Sequence, residues 1–159
     1  MPLILSFSLF LKARLIDSFW QDNNSLISEL SEHRLYRHLK DNSNFYLTQL
    51  PNNNIRKSLT KLRLGSHHFM VERGRWNKLD YVDRICFECN DIEDEYHVVM
   101  ICKKYNKLRK QYLPQSLYDK PSMFKFIYYL NCENVAKLRK LGLFMFYVFK
   151  KYEEDEIYA

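Results

Sequence analysis

Glycine and proline are scarce, with three and four respectively among 159 residues. An all-β sandwich needs many tight turns and draws on both residues, so the shortage favours helices. Cysteine is sparse too: of four in the chain, only Cys132 lies outside the stretch Cys86–Cys102. A secreted disulfide scaffold would spread an even set along the chain; this clustering suits a reducing, intracellular compartment, nucleus or cytoplasm. Long apolar runs are missing. The opening "MPLILSFSLFLKARL" is apolar only as far as Leu11, broken by Pro2, Ser6 and Ser8. It is too short to span a bilayer, and Lys12 and Arg14 follow the apolar run instead of preceding it as in a secretory signal. We read it as the start of a helix, or as an edge packed on something upstream, and expect no membrane partner. Repeats and low-complexity tracts are absent, and no nucleophile–base pair can be named from spacing.

What is present can fill a core. The chain is 47% hydrophobic and 28% charged, within the range of one ordinary folded domain. Ser25 is a candidate cap for a helix reaching about Lys40. Ile55, Leu59 and Leu62 follow "PNNN" at i, i+4 and i+7, one helical face, and Gly65 is placed to end that helix. Tyr105, Leu108 and Tyr112 mark a second face that Pro114 closes. Ser122 is a candidate cap for "KPSMFKFIYYLN", and Val135, Leu138, Gly142, Met145 and Phe149 recur at steps of three and four. The expected fold is mainly α, a helical domain with one small structural zinc knuckle and at most a short β-hairpin. Its segments are an N-terminal helical part over 1–50, a basic helix plus knuckle over 51–113, and amphipathic helices over 114–159, together one compact unit. Leu59, Leu62, Tyr105, Leu108, Leu138 and Phe149 are expected inside, and an apolar patch is expected to remain near the N-terminus.

The knuckle is "CFECNDIEDEYHVVMIC", or Cys86-x2-Cys89-x7-His97-x4-Cys102. A Cys-x2-Cys turn delivers two thiolates from one tight loop, and zinc asks for four N or S ligands in a tetrahedron. Glu93, Asp94 and Glu95 suit a helix N-terminus, with His97 one turn further on. Five residues separate His97 from Cys102, about 140° around an ideal helix. The helix must therefore end or bend before Cys102 if the ligand atoms are to converge within roughly 4 Å. Four protein ligands leave no open position for water, so Zn2+ would be structural. The plainer alternative is a set of buried free cysteines with a surface histidine. His67, His68 and Cys132 are further ligand candidates.

Charge is segregated, beyond the net +6 of the chain. Arg56, Lys57, Lys61, Arg63, Arg73 and Arg75 precede an acidic knuckle, and Lys103, Lys104, Lys107, Arg109 and Lys110 follow it. Lysine and arginine gain nucleic-acid affinity by releasing condensed counterions, and the ring of Trp76 or Tyr105 can stack on a base. The candidate contacts for RNA or DNA are Arg56, Lys61, Arg63, Arg73, Arg75, Trp76, Lys103, Lys104 and Lys107.

Several of these pieces together resemble the C-terminal zinc-binding region of non-LTR (LINE-type) retrotransposon reverse transcriptases. They are Leu59-Thr60-x-Leu62-Arg63-x3-His67, Glu72-Arg73-Gly74-Arg75, Cys86-x2-Cys89, Glu93-Asp94-Glu95-x-His97, Cys102, Tyr105 and Arg109. The resemblance implies a module lying downstream of a polymerase that helps bind template RNA or target DNA, with weak sequence preference. No Tyr-x-Asp-Asp motif or paired-aspartate set accompanies it, so it implies no catalytic activity here. A second reading is a helical interaction module, in which zinc staples a scaffold and exposed apolar helix faces dock on a protein partner, or else a non-functional remnant of such a retrotransposon element.

Overall fold

The computed structural model of the chain describes Leu35, His38, Leu39 and residues 45–157. The helix expected between Ser25 and Lys40, and the apolar patch expected near the N-terminus, lie outside the described residues or nearly so. The described helices are α1 (Phe45–Gln49), α2 (Asn53–Leu64), α3 (Met70–Trp76), α4 (Asn106–Tyr112), α5 (Gln115–Tyr118), α6 (Met123–Leu130) and α7 (Val135–Ile157). Short 3₁₀ turns occupy Tyr81–Asp83 and Lys103–Tyr105, and a π-helix runs over His97–Ile101. Among the described residues there is no strand; the expected hairpin reduces to one antiparallel bridge, Ile85 with Ile92.

Local chemistry sets the helix ends. Asn52 Oδ1 accepts from the amides of Asn54 (2.9 Å) and Ile55 (3.2 Å), satisfying donors that have no partner inside α2. Gly65 ends the helix in the left-handed region at φ 67°, the conformation that costs a glycine least. Ser122 Oγ accepts from Lys125 N at 3.2 Å and starts α6. α3 is a helix that hydrophobic spacing does not announce: its apolar residues Met70 and Val71 are adjacent, and the rest of the segment reads as basic loop.

The core forms where α2 lies against the long α7. A Cβ on Gly142 would collide with the Ile55 side chain and reach within 3.2 Å of Leu59, so the two backbones approach as closely as they do only because Gly142 has none. Leu59 and Leu62 from α2 interdigitate with Leu141, Phe144, Met145 and Val148 from α7, all fully buried. Burial of each such side chain contributes about 1.5–3 kcal/mol. Leu59, Leu62, Tyr105 and Leu138 are buried as their spacing suggests; Leu108 and Phe149 are half-buried at the rim. Val98, Val99 and Met100 of the π-helix enter the same core, so the cysteine-rich segment is rooted in the fold instead of hanging from it.

Candidate metal centre

Cys86 and Cys89 sit on a turn held by a small backbone frame. Cys86 N donates to Asp91 O (2.8 Å), Asn90 N to Cys86 O (2.8 Å) and Glu93 N to Arg84 O (2.9 Å). Asn90 takes a positive φ of 55° to close the loop, a conformation asparagine tolerates better than most residues. His97 and Cys102 come from the other side. Asp94 Oδ1 accepts from His97 N at 2.7 Å and caps the turn that carries the histidine. The chain then winds as a π-helix, closed by a Cys102 N to His97 O bond of 2.7 Å. An i to i+5 bond stacks residue 102 over residue 97, which removes the 140° separation an α-helix would impose. The helix does end before Cys102, whose φ and ψ of −51° and 123° are extended.

The result is a cluster in which one ligand atom from each of Cys86, Cys89, His97 and Cys102 lies within 4.8 Å of the others. Cys102 Sγ stands 3.8 Å from Cys86 Sγ and 3.9 Å from Cys89 Sγ. Thiolates on a tetrahedral ion with bonds of ~2.3 Å would stand ~3.8 Å apart. Both ring nitrogens of His97 are buried with no hydrogen-bond partner, and Asp91 Oδ2, at 3.9 Å from Nδ1, is too far to supply one. An imidazole desolvated and left unpaired needs a partner of some kind, and a metal ion provides it. The cluster fits such an ion.

Backbone amides around the cluster favour thiolate. Lys103 N donates to Cys89 Sγ at 3.4 Å, the amides of Glu88 and Cys89 face Cys86, and that of Lys104 faces Cys102. Without an ion, burial pushes the Cys86 and Cys102 thiols up despite these amides, so a cation is what would hold them ionised. Burial lowers the His97 pKa, opposed by Asp91 and aided by Arg109, which leaves the ring neutral and able to ligate.

No protein-family model, curated protein or solved structure matches this chain.

Sequence reasoning missed the buried polar ties around the knuckle. Arg109 donates to the carbonyls of Val99 (2.8 Å), Val98 (3.1 Å) and Cys102 (2.9 Å), all on the ligand-bearing turn. Arg84 donates to Leu79 O and Val71 O. Glu93 and Glu95, expected at a helix start, are both buried. Glu93 Oε2 accepts from Met70 N (2.8 Å) and Tyr152 Oη (3.2 Å), tying the knuckle to α3 and α7, and Glu95 pairs with His67 at 3.0 Å. His67 is thereby occupied, and neither His68 nor Cys132 belongs to the ligand cluster.

The basic candidates do not form one set. Arg63 is only 3% exposed, donates to Leu130 O and lies 4.9 Å over the Tyr46 ring, so it is withdrawn as a phosphate contact. Arg56 is drawn onto Leu50 O and Pro51 O, Arg75 pairs with Glu72, and Lys104 pairs with Asp155 at 2.7 Å between the rings of Tyr105 and Tyr152. The reason is chemical. A guanidinium has five donors in a planar fork and satisfies backbone carbonyls that nothing else reaches. Arg73 is half-buried in a recess beside the knuckle, whereas Lys61, Trp76, Lys103 and Lys107 are exposed. Tyr105 is fully buried and offers no ring to a base.

Proposed function

We propose that the chain is a zinc-stapled helical module that binds RNA or DNA with little sequence preference and has no catalytic activity of its own. The observation that carries the zinc is the four-ligand cluster with its unpaired imidazole and 3.8–3.9 Å sulfur spacing. Three sulfurs and one nitrogen suit zinc, and a filled set of four suits a structural ion. Cys86, Cys89, His97 and Cys102 would hold it; the ion would neutralise the thiolates and lock the knuckle to the π-helix. Nucleic-acid binding is supported by the motif resemblance and by exposed Lys61, Lys103 and Lys107 with exposed Trp76. Among the described residues no helix is long and apolar enough to cross a membrane; reduced thiols of this kind suit an intracellular setting.

Metal analysis of the purified chain should return one zinc per chain. Neutralising roughly three or four phosphates should give a slope of log K against log salt of about −2 to −4. A zinc-loaded, folded protein that binds neither single- nor double-stranded RNA or DNA at low salt would remove the nucleic-acid half. The second reading, a protein-docking module, would then lead. It is favoured by α6, which exposes Met123, Phe124 and Tyr128 together.

A further inference from the structure

Alongside the α2–α7 crossing the two helices border a cleft of ≈ 220 Å³. Lys57 and Lys61 enter it from α2 and Lys150 from α7, with Phe146 and Phe149 on its wall. Glu153 is the one acid that lines it. Among the described residues no carboxylate lies within ion-pairing distance of any of the three ammonium groups; Lys61 instead sits 5.5 Å over the Phe149 ring. Lys57 and Lys61 are one helical turn apart, a like-charge arrangement that costs a helix stability unless something offsets it. Arg56, Arg63, Arg75, Arg84, Arg109 and Lys104 all end on carbonyls or carboxylates, whereas these three lysines line one cleft.

We infer that the α2–α7 cleft is a phosphate-binding site that seats the backbone of a single strand of nucleic acid. The inference rests on the nucleic-acid reading above and gives it a place. Three unpaired ammonium groups supply charge without the planar fork that would read a base, so the contact is to phosphate and carries no sequence information. At ≈ 220 Å³ the cleft between the two helices has room for a stretch of one backbone and not for a whole duplex. Half-buried Phe146 offers a ring surface at its wall on which a neighbouring base can stack. Lys57 and Lys150 are remote in sequence, and only the helix pairing brings them together.

The test uses the zinc-loaded full chain and a labelled 12-nucleotide oligouridylate, read by fluorescence anisotropy. Substituting Lys57→Gln, Lys61→Gln and Lys150→Gln together should weaken binding about tenfold at low salt and flatten the salt slope by about two units. Lys103→Gln, Lys107→Gln and Lys110→Gln together should do less. Amide signals over 57–61 and 146–150 should shift on titration of the wild type with the same oligonucleotide, a readout that stands even if the triple variant folds poorly. Wild-type binding that the cleft substitutions leave unchanged, or amide shifts confined to α4, overturns the site and leaves the broader reading standing. A wild type that binds no oligonucleotide overturns both. Capture by phosphatidylserine vesicles without oligonucleotide binding assigns the cleft to a membrane surface and likewise overturns the inference.

Discussion

Arg109 closes three carbonyls on the one turn that must hold His97 and Cys102 in line. Lysine at this position keeps the charge but loses the fork, leaving buried acceptors without donors. Arg109→Lys should cost about 2–4 kcal/mol in urea unfolding, and should weaken zinc binding as well, because ligand-supporting contacts are worth roughly tenfold or more in affinity. Glu93 gives a pH signature. Burial raises its pKa above the ordinary carboxylate value, opposed by the Met70 amide and the Tyr152 hydroxyl. The folded protein therefore holds this proton more tightly than the unfolded chain does. The associated stability is fully present below the unfolded pKa and is lost as pH rises through the folded one. Glu93→Gln keeps an acceptor for both donors and does not titrate. The wild type should gain on this variant as pH falls from 7 toward about 4.5, and parallel stability curves over that range would show that Glu93 stays ionised inside.

The elements carry the geometry that single residues cannot. The π-helix absorbs one residue more than an α-helical turn needs between its two ligands. Deleting exposed Ile101 leaves a four-residue step, only about 40° apart on an α-helix. That variant should still bind one zinc, with the segment rewound as α; complete loss of metal would mean that the wide turn itself is required. At the α2–α7 crossing, Gly142→Ala gains about 1 kcal/mol of helix propensity but forces a Cβ into Ile55, an overpacking cost of about 1–3 kcal/mol. The clash should prevail and lower the melting temperature, and adding Ile55→Ala should restore part of the loss. Much at this scale is legible in the sequence because it is local: Gly65 and Ser122 act on their own turns, and the cysteine spacing is a property of one loop. The π-turn is not legible, since residue identity does not show which carbonyl an amide will choose. Nor are the fates of Arg63, Glu93 and Glu95, which partners distant in the chain bury. Lys57 and Lys150 stay unrelated until α7 packs on α2.

For the molecule as a whole, a zinc ion held as proposed would share the work of folding with the helical core. Zinc supplies on the order of 10 kcal/mol in small fingers that have no other core. Here the core around Leu59 and Phe144 is built largely from side chains that ligate nothing, so the ion should govern a part of the structure and not the whole. Chelation should release amide-exchange protection from about Arg84 to Tyr105 while α2 and α7 keep theirs. Protection that collapses everywhere would make the metal the foundation of the fold, and protection unchanged in the knuckle would deny it a structural role. The four ligands also differ in their access to water: Cys86, His97 and Cys102 are buried, whereas Cys89 is half-exposed at the lip of the cluster. That asymmetry has a kinetic meaning. A competing chelator or an electrophile meets one sulfur first, so departure of the ion should begin at Cys89, with the other three letting go afterwards. Limited treatment with iodoacetamide should mark Cys89 ahead of its partners, and the pace of that labelling should set the half-life of the bound ion.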